Sequence, residues 1–383
     1  MKKHIKTLSL VISIVLIVAI AFAGCGNKSG SSPAPAPAPA PAPTPAPAPA
    51  PSGPAGSGAE FDIPADFGPL ELNMSLSYPE TQPVVGMLRT WADNVNKYTE
   101  GKVTITLFPG EALVKAGDAF EAVRDGVVDV VDATTSSAPT VFPLTSVFYL
   151  GGIQFNSGQA STAAVVDFYS HPNVKETQQI KMLVPYGMTS SGLITTKPIR
   201  TLEDLKGLQI RCVGMSVDVV AALGATPVAI SMAETYEALM KGTVDGLLSN
   251  IETLKSQKFA EIAKYATIAP VMGIGTHYVA MTPTLWDSFP PGVQAAFEKA
   301  NAEAIEEISH AWDNMDATAI EEAIGLGVEI IELDKTELDK WIAAQGDAND
   351  TWIAARNAEG LDGKWAVDYA VEIAAKYNAQ YGN

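Results

Sequence analysis

The segment Leu208-Gln209-Ile210-Arg211-Cys212 sets an arginine at the end of an apolar stretch that reads as a β-strand. A guanidinium there has the opposite polarity to its neighbours. Its planar fork can grip a carboxylate through two parallel hydrogen bonds. The same arginine could be structural, paired to an acid such as Glu234, and spacing alone does not choose between the two. Thr134-Thr135-Ser136-Ser137 and Ser249-Asn250 each follow an apolar strand. Neutral hydroxyls and amides at such places suit the orientation of a small ligand.

Other chemistry is poorly supported. The histidines stand at positions 4, 171, 277 and 310, with no close pair and nothing at zinc-ligand spacing, so no metal and no cofactor are expected. Asp129, Asp132 and Asp245 are the acids a secreted lyase or hydrolase would use. No Ser-His-Asp or metal set accompanies them, and an enzyme is not expected. The formal net charge is −18, and loss of the first 24 residues would remove three lysines and no acid, leaving −21. Such a body will not bind nucleic acid or anionic lipid by charge. If it binds an anion, it must do so with a local, specific cation.

The elements that must position these residues are legible as an α/β alternation. Leu70–Ser77, Val103–Phe108 and Val127–Ala133 read as strands, with helices at Val84–Tyr98 and Ala119–Asp125. A parallel sheet is the default for that order. The pattern aromatic-Glu-Ala-aliphatic-x-x-Gly-x-Val-Asp occurs at Phe120–Asp129 and again at Tyr236–Asp245. One helix-Gly-strand unit is therefore used twice, which predicts two α/β lobes of similar build. Asp129 and Asp245 occupy its equivalent positions and read as structural strand-start acids. Thr201-Leu202-Glu203-Asp204 starts a short helix, with Thr201 as its cap, and Gly207 stops it. After Pro290-Pro291 some 33 helix-compatible residues run to Gly325, either as one helix crossing both lobes or as two shorter ones broken near Asp313-Asn314. Open α/β sheets bind ligands beyond the carboxyl ends of their strands. Thr134, Ser137, Ser249, Asn250 and Arg211 all fall there. Tyr186 and Met188 occupy the first crossing between lobes and His277 a later one. His277 could touch ligand or be a satisfied structural histidine.

The N-terminus sets the expected compartment. Lys2, Lys3 and Lys6 precede an apolar run, Leu8–Ala23, that ends in Phe22-Ala23-Gly24-Cys25. This is the layout of a secretory signal. The cysteine directly after Ala-Gly resembles a bacterial lipoprotein site, so Cys25 is the expected point of lipid attachment. From Pro33 to Pro51 the chain is almost pure Pro-Ala. That composition favours extended polyproline II and would span roughly 60 Å as a stiff tether.

The ordered set of motifs resembles the binding proteins of TRAP (tripartite ATP-independent periplasmic) transporters, of the DctP-like family. The resemblance is carried by Leu202–Arg211, by Gly224-Ala225-Thr226-Pro227 with Glu234–Leu239 and Val244-Asp245-Gly246, by Phe108–Leu113, and by Trp286 with Phe289-Pro290-Pro291. It implies an α/β, two-lobed periplasmic-binding-protein fold, type II-like, with a cleft between lobes and a long helix spanning both. The expected division is 1–24 signal, 25–65 tether, 66–188 plus 279–318 lobe I, and 189–278 plus 319–383 lobe II. The resemblance implies that Arg211 grips the ligand's carboxylate. The usual ligand-contacting Asn falls on Ser249, with Asn250 next door. The aromatic wall falls on Met232, the first-lobe strand exit on Thr134 and Ser137, and the first strand's exit on Ser77 and Tyr78. In sugar-acid-binding relatives Thr134 and Ser137 would be charged and a second Arg would fall near Ser191. Their absence argues against a sialic-acid-like ligand and against a second carboxylate held by a second Arg. The function implied is capture of a small organic acid and its delivery to TRAP-type membrane permease subunits, by a monomer held at the membrane through lipidated Cys25. A sensor receptor that hands ligand to a signalling protein would share the same fold.

Overall fold

The computed structural model describes residues 61–230, 232–269 and 273–381. The signal, Cys25 and the Pro-Ala tether lie outside the described residues. Among the described residues ten strands form one sheet: β1 Leu70–Leu76, β2 Val103–Phe108, β3 Val130–Thr134, β4 Lys181–Thr195, β5 Gln209–Cys212, β6 Thr226–Ala229, β7 Gly246–Asn250, β8 Tyr265–Ile268, β9 Ile274–Met281 and β10 Glu329–Glu332. The α-helices are α1 Pro83–Tyr98, α2 Ala119–Arg124, α3 Gly158–Ser170, α4 Ser216–Ala222, α5 Met232–Met240, α6 Thr253–Ser256, α7 Pro283–Asp287, α8 Pro291–Gly325, α9 Lys335–Ala344, α10 Gly346–Ala358 and α11 Gly363–Tyr381.

The sheet order is β2-β1-β3-β9-β4-β7-β5-β6, with β8 on β4 and β10 on β8. The two flanks are parallel, as the alternation predicts: β1 pairs with β2 and β3, and β5 with β6 and β7. The middle is antiparallel, because β9 runs against β3 and β4, and β4 runs against β7. β4 serves both halves. Its early residues pair with β9 up to Ser190↔Ile274, and Ser191–Thr195 then pair with β7. Each half thus has the same layout, three parallel strands closed by one antiparallel strand.

The repeated motif explains that likeness. Gly126 and Gly242 hold φ of 72° and 68°, where a side chain would be strained. Each ends a helix, and the following residue donates back to it, Val127 N–H to Ala122 O at 2.8 Å and Thr243 N–H to Ala238 O at 2.9 Å. The chain then turns into β3 or β7. The Asp129 carboxylate accepts the Asn73 N–H of β1 at 2.8 Å, and the Asp245 carboxylate accepts the Gln209 N–H of β5 at 2.9 Å. Each acid thus ties the start of its strand to the neighbouring strand at the equivalent place in the repeat.

α8 is one continuous helix of 35 residues, on the order of 50 Å long at about 1.5 Å per residue. Its first part buries Phe297, Ala300, Ile308 and Trp312 in the core that holds β1, β2 and α1. Its last turns bury Ala319 and Ala323 in the core under β7 and α5. Burial in both cores keeps the helix unbroken at Asp313-Asn314. The short helix after Thr201 forms with a capping box, in which the Asp204 side chain returns to the Thr201 N–H at 2.9 Å. Near the C-terminus α11 buries Ala366, Ala370 and Ile373 against Val165 and Phe168 of α3.

Candidate functional site

The carboxyl ends of β1, β3, β5 and β7 carry Ser77, Tyr78, Thr134, Ser137, Arg211, Ser249 and Asn250, while Tyr186 and Met188 lie on β4, His277 on β9 and Met232 at the start of α5. Arg211, at the penultimate position of β5, is 5% exposed. Alternation along the strand fixes its side, and its Nε–H donates to the carbonyl of Ile230 at 3.0 Å. Among the described residues no carboxylate forms an ion pair with it. Burial pulls the guanidinium below its ordinary pKa, partly offset by the adjacent Cys212. It remains charged at any working pH. The pairing with Glu234 considered from sequence is not among these ion pairs.

Three further predicted residues share this half. Met232 begins α5 two positions after Ile230 and packs, half-buried, with Val228, Ile230 and Tyr236 on the core beneath β7. Ser249 is buried opposite Gly192 of β4. Asn250 is buried too, but its amide donates to the Thr189 carbonyl on the crossing strand at 2.5 Å. That engagement ties Asn250 to the crossing.

The other half gathers Ser77, Tyr78, Tyr186 and His277 around a buried acid. Tyr186 donates to Asp132 Oδ2 at 2.8 Å and Ser77 Oγ to Oδ1 at 3.4 Å. The His277 ring stacks with Tyr78 at 4.9 Å and with Tyr186 at 5.3 Å between centroids. Its Nε2 meets the Tyr78 hydroxyl at 3.1 Å. Burial pushes Asp132 up to about 7, despite the two hydroxyl donors. Burial also holds His277 down to about 3, so the imidazole is neutral. Desolvation, with Asp132 close by, raises the hydroxyl pKa of both tyrosines.

Thr134 and Ser137 form a second polar group at the end of β3. Thr134 Oγ1 lies 3.2 Å from the Tyr149 hydroxyl, and Ser137 Oγ donates to the Thr134 carbonyl at 2.7 Å. Met188 lies on the crossing strand against Gly275, where an added Cβ would stand 2.7 Å from its sulfur. The halves approach at this point: a Cβ at Gly214, three residues after Arg211, would stand 4.0 Å from Ser136 Cβ.

Sequence reasoning missed two groups. Tyr149 sits in a short turn, binds Thr134, and accepts the Thr276 N–H at 3.3 Å. At the far side Gln82 donates to Glu252 Oε1 at 3.4 Å and the Glu252 N–H donates to Asp316 at 2.9 Å, linking α1, the end of β7 and α8. Burial pushes Asp316 up to about 7. Neither group has a local sequence signal, since the partners lie far apart in the chain. Two open grooves, about 880 and 570 Å³, lie along the junction and contain neither Arg211 nor His277. Among the described residues no cluster of His, Cys, Asp or Glu could hold a metal ion, and no helix is long and apolar enough to cross a membrane.

Comparison with known proteins agrees with this build. The profile of the bacterial extracellular solute-binding proteins of family 7 (DctP) matches residues 74–354. The C4-dicarboxylate-binding protein DctB of Bacillus subtilis is 28% identical over 260 residues, 66% of this chain and 73% of that protein. A TRAP periplasmic solute-binding protein from Desulfovibrio salexigens superposes with a TM-score of 0.76 at 29% identity, covering 82% of this chain and 98% of that one. Another, from Bordetella bronchiseptica with bound (R)- and (S)-mandelate, gives 0.71 at 29%, covering 80% and 99%. The two halves described above are the lobes of that fold, and the chain belongs to family 7 of the bacterial extracellular solute-binding proteins.

Proposed function

We propose that the chain is the extracytoplasmic, lipid-anchored receptor of a TRAP-type secondary transporter, capturing a small organic acid between its lobes and delivering it to a membrane permease. Arg211 carries this reading. A buried cation with no carboxylate partner among the described residues is costly, and a ligand carboxylate would offset that cost with a charge-assisted pair. The relatives are consistent with it, one named for C4-dicarboxylate binding and one holding mandelate.

In this reading Arg211 fixes the carboxylate. Ser249 and Met232 complete one wall, and Tyr78, Thr134 and Ser137 face them from the other lobe. His277 and Tyr186 back that wall, and Met188 and Asn250 belong to the crossing. The lobes close on the ligand by a hinge at the crossings of β4, β9 and α8. The packing of α11 on α3 favours assigning the tail to the first lobe, with the boundary at β9 moved to its start.

The test is a thermal-shift screen of the purified chain across small organic acids, since a ligand that binds only the folded state raises the melting temperature. Stabilisation by one or a few acids supports the reading. No shift with any acid, together with turnover of one detected by mass spectrometry, would replace it with an enzyme. Anchoring is tested separately by Cys25→Ser, which should move the protein from the membrane to the soluble fraction.

A further inference from the structure

Arg211 is the one buried Lys or Arg among the described residues. In the proposed site the opposite wall has no second Lys or Arg among the described residues. Tyr78, Thr134 and Ser137 are half-buried neutral hydroxyl groups, and His277 is 6% exposed with a neutral ring stacked between two tyrosines. Burial holds that imidazole down to about 3, so it does not become a cation near neutrality. The ionisable group behind this wall has the wrong sign for an anion: Asp132 is 1% exposed and is held by Tyr186 and Ser77. On the Arg211 side, Ser249 and Met232 are also neutral. The closed site therefore offers one formal positive charge to whatever it encloses.

We infer that this site takes a monocarboxylate whose body is neutral, either flat and apolar or bearing hydroxyls, and that it rejects dicarboxylates of matching size. The inference rests on the reading of Arg211 as the ligand's cation. One ligand carboxylate is neutralised by the guanidinium. A second would be carried out of water with no partner and toward Asp132, and an unpaired buried charge is strongly unfavourable. The aromatic stack ending in half-buried Tyr78 gives a flat body a ring to pack on, and the thioethers of Met232 and Met188 adapt to its outline. The hydroxyls of Thr134 and Ser137 can orient hydroxyls on the ligand.

The experiment is calorimetric titration of the mature chain with a library of acid pairs that differ by one carboxylate, such as benzoate with isophthalate and butyrate with succinate. It is run at about pH 8, where every carboxylate is ionised. In each pair that gives heat of binding, the monocarboxylate should bind tighter by on the order of 100-fold or more. Equal or tighter binding of the dicarboxylates overturns the inference and leaves the organic-acid receptor standing. Absence of binding by every member of both classes overturns the receptor reading and the inference with it.

Discussion

The Tyr78 hydroxyl lies 3.1 Å from His277 Nε2 while the two rings stack at 4.9 Å, so one pair makes both a polar and an aromatic contact. The residues are 199 positions apart. Their pairing fixes the exit of β1 against β9. His277 Nδ1 is buried with no partner among the described residues, and an unsatisfied acceptor is tolerated better than an unsatisfied N–H. The neutral ring therefore carries its proton on Nε2 and donates to Tyr78.

Tyr78→Phe keeps the stacked ring and removes the acceptor. It should lower stability by about 1 kcal/mol. Because His277 titrates near 3 in the folded chain, that cost should be the same from about pH 5 to 9. Thermal unfolding across that range checks it. A cost that appears only below about pH 6.5 would mean a charged imidazole.

Asp132 predicts a pH dependence of stability. Its carboxyl titrates at about 7 in the folded chain against 3.8 when exposed. A pKa raised by folding means that its contribution is fully present below 3.8 and is lost as pH rises through about 7. Asp132→Asn removes that loss. The melting temperature of the variant relative to the parent should rise between pH 5 and pH 8. A difference that stays flat would show that Asp132 does not titrate in this range.

The repeat acids predict structure without function. Asp245 is bonded to Gln209 N–H at 2.9 Å and to Lys197 at 2.8 Å. Burial opposes its charge, yet Lys197 and the Gln209 N–H together hold its pKa below the usual range. Asp245→Ala should cost about 1–2 kcal/mol and leave ligand affinity unchanged. Denaturant unfolding and calorimetry separate the two, and lost affinity in a folded variant would assign Asp245 to the site.

This repeat was the most legible part of the fold. Gly126 and Gly242 must adopt φ that other residues resist, and Asp129 and Asp245 must reach a neighbouring strand, so sequence and geometry carry the same information there. The parallel flanks and the long helix were legible for similar local reasons. The antiparallel centre was not, because no local pattern says that β4 passes between β9 and β7. Arg211 stood out because a charge at an apolar strand's end breaks the pattern. Tyr149 and the Gln82–Glu252–Asp316 link did not, since each depends on contacts between distant segments. Cys25 and the tether remain readings of the sequence, outside the described residues.

The most direct test of the account is Arg211→Met, measured both without ligand and by titration with the best acid from the screen. Removing a buried cation that no carboxylate pairs with among the described residues should leave the ligand-free melting temperature unchanged or higher. Loss of the charge-assisted pair should weaken binding by on the order of 100-fold or more. A folded Arg211→Met chain that binds the acid as tightly as its parent would contradict the account.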